Sequence, residues 1–175
     1  MKKVLGKFVI IMMCTVIVTL SGCMGKNYND TASDLLKAIS GDVLLRMGDD
    51  SEVRIITIDV SDFADYPIDD FTEWVTAKYG NDKCFVLVLE DGENPFEDDS
   101  DITSLLAEHG YEEDTKWDWT NFYFERLDEE DSLSNREKIE THILYSTGDV
   151  EGWKLNVVYK NDQWEIKDTN LTYHS

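Results

Sequence analysis

Residues 139–166 leave this chain little freedom. Ile139, Thr141, Ile143 and Tyr145 recur at every second position, as do Trp153, Leu155, Val157 and Tyr159. A period of two belongs to a strand with one face on a core, because successive side chains point to opposite sides. Asn161 and Asp162 follow, both tolerant of positive φ, and such a pair closes a two-residue hairpin. Counting back from that turn sets Tyr159 opposite Trp164 and Val157 opposite Ile166 on one face. Leu171 and Tyr173 fall out of phase with Trp164 and Ile166, which predicts a bulge or strand end between them. The end of the chain has to be antiparallel sheet.

Upstream the pattern alternates between periods. Thr31 or Ser33 can cap a helix carrying Leu35, Leu36 and Ile39, with Asp34 in its first turn and Gly41 interrupting it. Residues 42–47 fit either helix or strand, and residues 48–51 read as a turn. The β-branched residues 52–60 are apolar on both faces, which suits a covered strand. Residues 62–66 read as a loop. Pro67 opens a helix with Asp69 and Asp70 at its positive end, and Ile68, Phe71, Trp74, Val75 and Lys78 keep helical spacing. Gly80 is the expected left-handed stop. The unbroken run Cys84–Leu89 reads as a strand buried on both faces and central in the sheet. An acidic loop with Pro95 leads to a short helix from Asp101 that carries Ile102, Leu105 and Leu106 and ends at Gly110. Strands alone follow from Asn121, with a polar turn at residues 128–134. The expected fold class is α+β: an antiparallel or mixed sheet, about three helices and a C-terminal antiparallel strand meander. Residues 157–166 are similar to the last hairpin of NTF2-like and cystatin-like domains.

The N-terminus has another character. Lys2, Lys3 and Lys7 precede an apolar run over residues 8–20, which ends in Leu20-Ser21-Gly22-Cys23. The run falls short of the roughly 20 residues that span a hydrocarbon core, and no basic cluster follows it. The Leu-Ser-Gly-Cys end resembles the lipobox of bacterial lipoproteins. That resemblance implies cleavage before Cys23, acylation of its thiol, and attachment to the outer face of a cell membrane. The expected organisation is a signal over residues 1–22, a tether over 23–30 and one extracytoplasmic domain over 31–175. In that domain Cys84 is the only remaining thiol, so the fold must hold by packing rather than by a disulfide.

Charge narrows the partners. Lys and Arg number 16 against 37 Asp and Glu, a net charge of −21. The first 22 residues hold three Lys and no acid, so the remainder carries −24. Such a surface is unsuited to nucleic acid, whose phosphates need Lys and Arg, and to a second, polybasic hold on anionic lipid. It favours a basic protein partner or loose binding of divalent cations, or serves solubility alone.

Catalytic signals are weak. Cys84 and His142 form the one thiol–imidazole pair on offer, but Cys84 lies in the most apolar run, where a thiol is inert core. His109, His142 and His174 stand singly, outside any close zinc-ligand spacing. Residues 93–101 are acidic enough for calcium but lack the EF-hand order. No catalytic residue, cofactor or metal ligand is nominated. Trp117 and Trp119 flank Asp118, so in a strand both point one way, either as a stacking platform or as a cover for the core. Together with Asp98 and Asp99 they are the candidate contact surface. The expected function is a membrane-anchored, non-enzymatic binding or accessory module. An exported carboxylate-dependent hydrolase and an acidic immunity or inhibitor protein are the alternatives.

Overall fold

The computed structural model describes residues 26–44, 52–96, 98–128 and 130–175. The expected signal, Cys23 and the 48–51 turn lie outside them. Three helices, α1 (Ala32–Val43), α2 (Asp69–Tyr79) and α3 (Asp99–Glu108), accompany six strands. The strands are β1 (Val53–Asp59), β2 (Cys84–Leu89), β3 (Trp117–Arg126), β4 (Arg136–Tyr145), β5 (Val150–Lys160) and β6 (Gln163–His174). They form one sheet in the order β2-β1-β3-β4-β5-β6. β1 is parallel to β2 and β3, and every later pairing is antiparallel. The α+β expectation holds, with the sheet mixed. No helix among the described residues is long and apolar enough to cross a membrane.

Two cores sandwich the sheet. On one face α1 and α2 bury Leu35, Leu36, Ile39, Phe71 and Val75 against Ile58, Phe122, Phe124 and Ile143. On the other, α3 sets Ile102 and Leu106 on Val53 and Ile55. The chain passes from β1 through α2 to β2, then back over the opposite face through α3 to β3. Strand β1 is therefore covered above and below, as its β-branched composition demands.

The hairpin follows its sequence closely. Asn161 and Asp162 adopt φ of 53° and 61°. Tyr159 pairs with Trp164 and Val157 with Ile166, and the register then slips twice, at Asn156/Val157 and at Gly152/Trp153. The first slip returns Leu171 to the face of Trp164 and Ile166, and the second sends Tyr173 to the opposite face, beside His142.

Strand β2 departs from expectation, because it is an edge strand rather than a central one. Its residues are only half-buried. Both faces do carry helices: Val86 and Val88 pack with the first core, and Phe85 and Leu87 with the second. An apolar run reports what lies above and below a strand, not what lies beside it. Gly80 also differs, with φ −69° and ψ 135°. Its reason is space: a Cβ there would sit 2.5 Å from the Thr76 carbonyl oxygen. α1 runs through Gly41, and a 3-10 turn at Ser61–Phe63 occupies the expected 62–66 loop.

The expected tether is docked over its described part. Tyr28–Thr31 forms a 3-10 turn, and Tyr28 packs edge-on against Tyr159 and Trp164. The Lys26 ammonium lies 2.8 Å from Asp162 Oδ1 and 4.1 Å above the Tyr159 ring. Apolar and cation–π contacts to β5 and β6 override the weak local propensity of Asn27 and Asn29.

Candidate functional site

The sequence-nominated residues divide between two places. Trp117 and Trp119 are half-buried against the second core, beside α3. Trp119 Nε1 donates to Thr57 Oγ1 at 3.1 Å, and its ring meets Phe96 edge-on at 6.2 Å. Asp98 and Asp99 are exposed at the start of α3. Asp98 is its N-cap: Oδ1 accepts from Ser100 N at 2.7 Å, while Asp101 Oδ2 reaches back to Asp98 N. The Ser100 hydroxyl, and then its amide, both donating to Asp98, hold that carboxyl below its ordinary range. Asp91 and Asn94 likewise accept from backbone amides two residues on. Asp91, Asn94 and Asp98 thus each commit one oxygen to the loop's own main chain.

Beside this loop runs the free edge of β2. Arg54 N donates to Lys83 O and Val60 N to Leu89 O, so alternate residues of β2 turn their main-chain groups toward β1. Cys84, Val86 and Val88 turn theirs outward. Cys84 exchanges both groups with Asn81, at 2.9 and 3.0 Å. Val86 and Val88 have no strand on that side among the described residues. An open cavity of about 590 Å³ continues from this edge, bounded by Val88, Leu89, Glu90, Asp91, Glu93 and Pro95. Burial pushes the Cys84 thiol pKa up. β1 and β3 separate it from His142 on β4, so no thiol–imidazole pair forms.

Strands β1 and β3 are also where the two crossovers part to opposite faces, the place where open α/β sheets often bind ligands. Asp59, Asp62 and Tyr123 gather at this end. Asp59 accepts from Ser61 N and Asp62 from Arg126 N, each at 2.9 Å. Burial, together with the charges of Asp62, Glu125 and Asp59, pushes the Tyr123 hydroxyl up to about 12. The aspartates here fasten backbone.

α3 covers only part of its face, and among the described residues no helix covers β3 to β6 on the rest. There Glu125, Glu140 and His142 come together from β3 and β4, although the sequence nominated none of them. Their ligand-type atoms all lie within 4.8 Å of one another. His142 Nε2 is 3.1 Å from Glu125 Oε2, and Nδ1 is hydrogen-bonded to the Tyr173 hydroxyl. Tyr123 stacks on the His142 ring at 5.5 Å. Glu140 accepts from Thr172 Oγ1 at 3.0 Å and lies 3.5 Å from Lys154 Nζ. Alternation along β3 and β4 puts these side chains on one face, but only the strand register makes them neighbours. That register, Glu125 with Glu140 and Tyr123 with His142, depends on a long and irregular β3–β4 connection.

Gly152 keeps this cluster in place. A Cβ there would meet the Tyr173 ring at 2.2 Å and Thr172 Oγ1 at 2.7 Å. The Gly152→Ala variant is therefore expected to expel Tyr173 from His142 while the core stays folded. Tyrosine fluorescence and the imidazole NMR shifts of His142 should change with little loss of melting temperature. Unchanged His142 signals would show that Tyr173 is not seated by Gly152. No family model, no curated protein and no solved structure matches the chain.

Proposed function

We propose that this chain is a lipid-anchored, extracytoplasmic interaction module that captures an extended segment of a basic protein along β2. The open β2 edge carries the reading: six apolar residues, Val86 and Val88 with outward main-chain groups, beside an exposed acidic loop. A long apolar edge ordinarily invites strand addition and is blunted by charge, proline or a covering element. β2 itself holds neither charge nor proline. Added strands bind through main-chain hydrogen bonds, and side chains at alternate positions set specificity. Glu90, Asp91, Glu93, Asp98 and Asp99 would meet Lys or Arg in the incoming segment and speed its approach. Cys23 supplies the membrane attachment implied by the Leu-Ser-Gly-Cys motif.

Crosslinked capture from native envelopes tests both parts, using the full chain, a Cys23→Ala form and a Val88→Pro form. Proline at residue 88 removes an outward N–H and leaves the β1–β2 ladder bonds intact. Val88→Ala controls for lost packing. The expected result is one stoichiometric partner, retained by Val88→Ala, lost by Val88→Pro, and membrane-bound only with Cys23. A partner held equally by Val88→Pro overturns strand addition. Membrane retention of Cys23→Ala overturns the lipid anchor.

A further inference from the structure

We propose that Glu125, Glu140 and His142 form a binding site for one divalent transition-metal ion, of which zinc is the type. The donor set is one imidazole and two carboxylates, the mixture that suits zinc and its neighbours better than calcium or magnesium, which prefer oxygen alone. The 3.1 Å between His142 Nε2 and Glu125 Oε2 is close to the separation of two ligands each about 2.1 Å from one ion. A metal would take the place of the hydrogen bond between these atoms. Glu140 completes a three-sided set once its carboxylate turns inward, since the three atoms are already within 4.8 Å.

A second observation points the same way. Glu125 and Glu140 are directly opposite each other on paired strands, and like charges so placed destabilise a sheet. In a chain of net charge −21 that arrangement is costly unless a cation joins them. Among the described residues Lys154 pairs with Glu140, at 3.5 Å, and not with Glu125. The surroundings are those of a supported ligand set. Thr172 holds Glu140 Oε1 at 3.0 Å, Tyr173 holds His142 Nδ1, and Tyr123 stacks on the ring. Outer partners of this kind fix a ligand's orientation and tautomer.

The proton balance is simple. In the empty arrangement Nε2–H donates to Glu125 and the Tyr173 O–H donates to Nδ1. When the metal takes the Nε2 lone pair, the ring hydrogen moves to Nδ1 and Tyr173 becomes the acceptor. With the ring neutral before and after, the charge gained is that of the ion alone.

Zinc titrated by calorimetry into the purified full chain, with millimolar magnesium to saturate diffuse acidic sites, tests the proposal. The expected result is one zinc per chain. Affinity should fall at least tenfold in His142→Ala and in Glu125→Gln, with the imidazole resonances of His142 moving on zinc addition. Cobalt in the same experiment should give visible bands that His142→Ala lacks. Circular dichroism identifies a variant that has merely unfolded, and Glu125→Gln, being isosteric, keeps the test alive if His142→Ala fails. Zinc bound equally by wild type and His142→Ala, or no zinc bound above the magnesium background, overturns the site.

Discussion

Replacing Arg126 by Ala is expected to cost about 3–5 kcal/mol of stability, because it leaves a charge stranded inside the fold. Arg126 and Glu137 have only 9% and 1% of their side chains exposed, with Nη2 3.3 Å from Oε2. Arg126 Nη1 donates to the Tyr66 hydroxyl at 2.7 Å, and Nη2 also reaches the Glu130 and Ser132 carbonyls. Tyr66 in turn donates to Asp131 O, and Glu137 Oε1 accepts from Ser134 N at 2.6 Å. One guanidinium therefore gathers the β3–β4 connection. For a chain of this size the loss is on the order of 10 °C in melting temperature, measurable by calorimetry. The paired change Arg126→Met with Glu137→Leu should recover much of it, since two apolar side chains leave no uncompensated charge. A single Arg126→Ala variant as stable as wild type would show that Glu137 finds solvent or another partner.

Phe122→Ala is expected to cost a similar amount, about 3–5 kcal/mol, by a different mechanism. Phe122 is fully buried and sits between its register partners Ile58 and Ile143, both buried. The strands on either side are fixed by their ladders, so the hole cannot collapse far. Phe122→Leu should lose considerably less, because it keeps most of the volume. Chemical denaturation gives both values. Equal losses for Ala and Leu would point to ring geometry rather than cavity volume.

These two predictions sit on parts of the chain that differed in how far sequence exposed them. Phe122 belongs to an alternating strand, and the period of two announces its burial. Helix α2 was readable from its own period of about 3.6 residues, through Ile68, Phe71, Trp74 and Val75. Arg126 and Glu137 were not, because a buried ion pair looks like two surface charges until the fold closes around them. The cluster of Glu125, Glu140 and His142 was hidden similarly. Histidine spacing along a chain reveals a site built on one helix or loop, but not one assembled across neighbouring strands. The apolar run of β2 disclosed its helical covers and said nothing of its lateral neighbour. Gly80 misled for a simpler cause: a glycine can be required by crowding as well as by a positive φ.

The contact of Lys26 with the β5–β6 turn fixes which way up the domain would hang. Three peptide steps separate Cys23 from Lys26, at most about 11 Å of chain. A lipid at Cys23 would thus suspend the domain by that turn, with little slack for swivelling. The register from β3 through β6 brings the last residues of β1, β2 and β3 to this same end. The acidic loop after β2 would then lie near the bilayer surface, and its repulsion from anionic headgroups would hold that side of the domain off the lipid. A protein captured along β2 would be one whose own extended segment lies close to the membrane, so a leash this short would select partners by height as well as by charge.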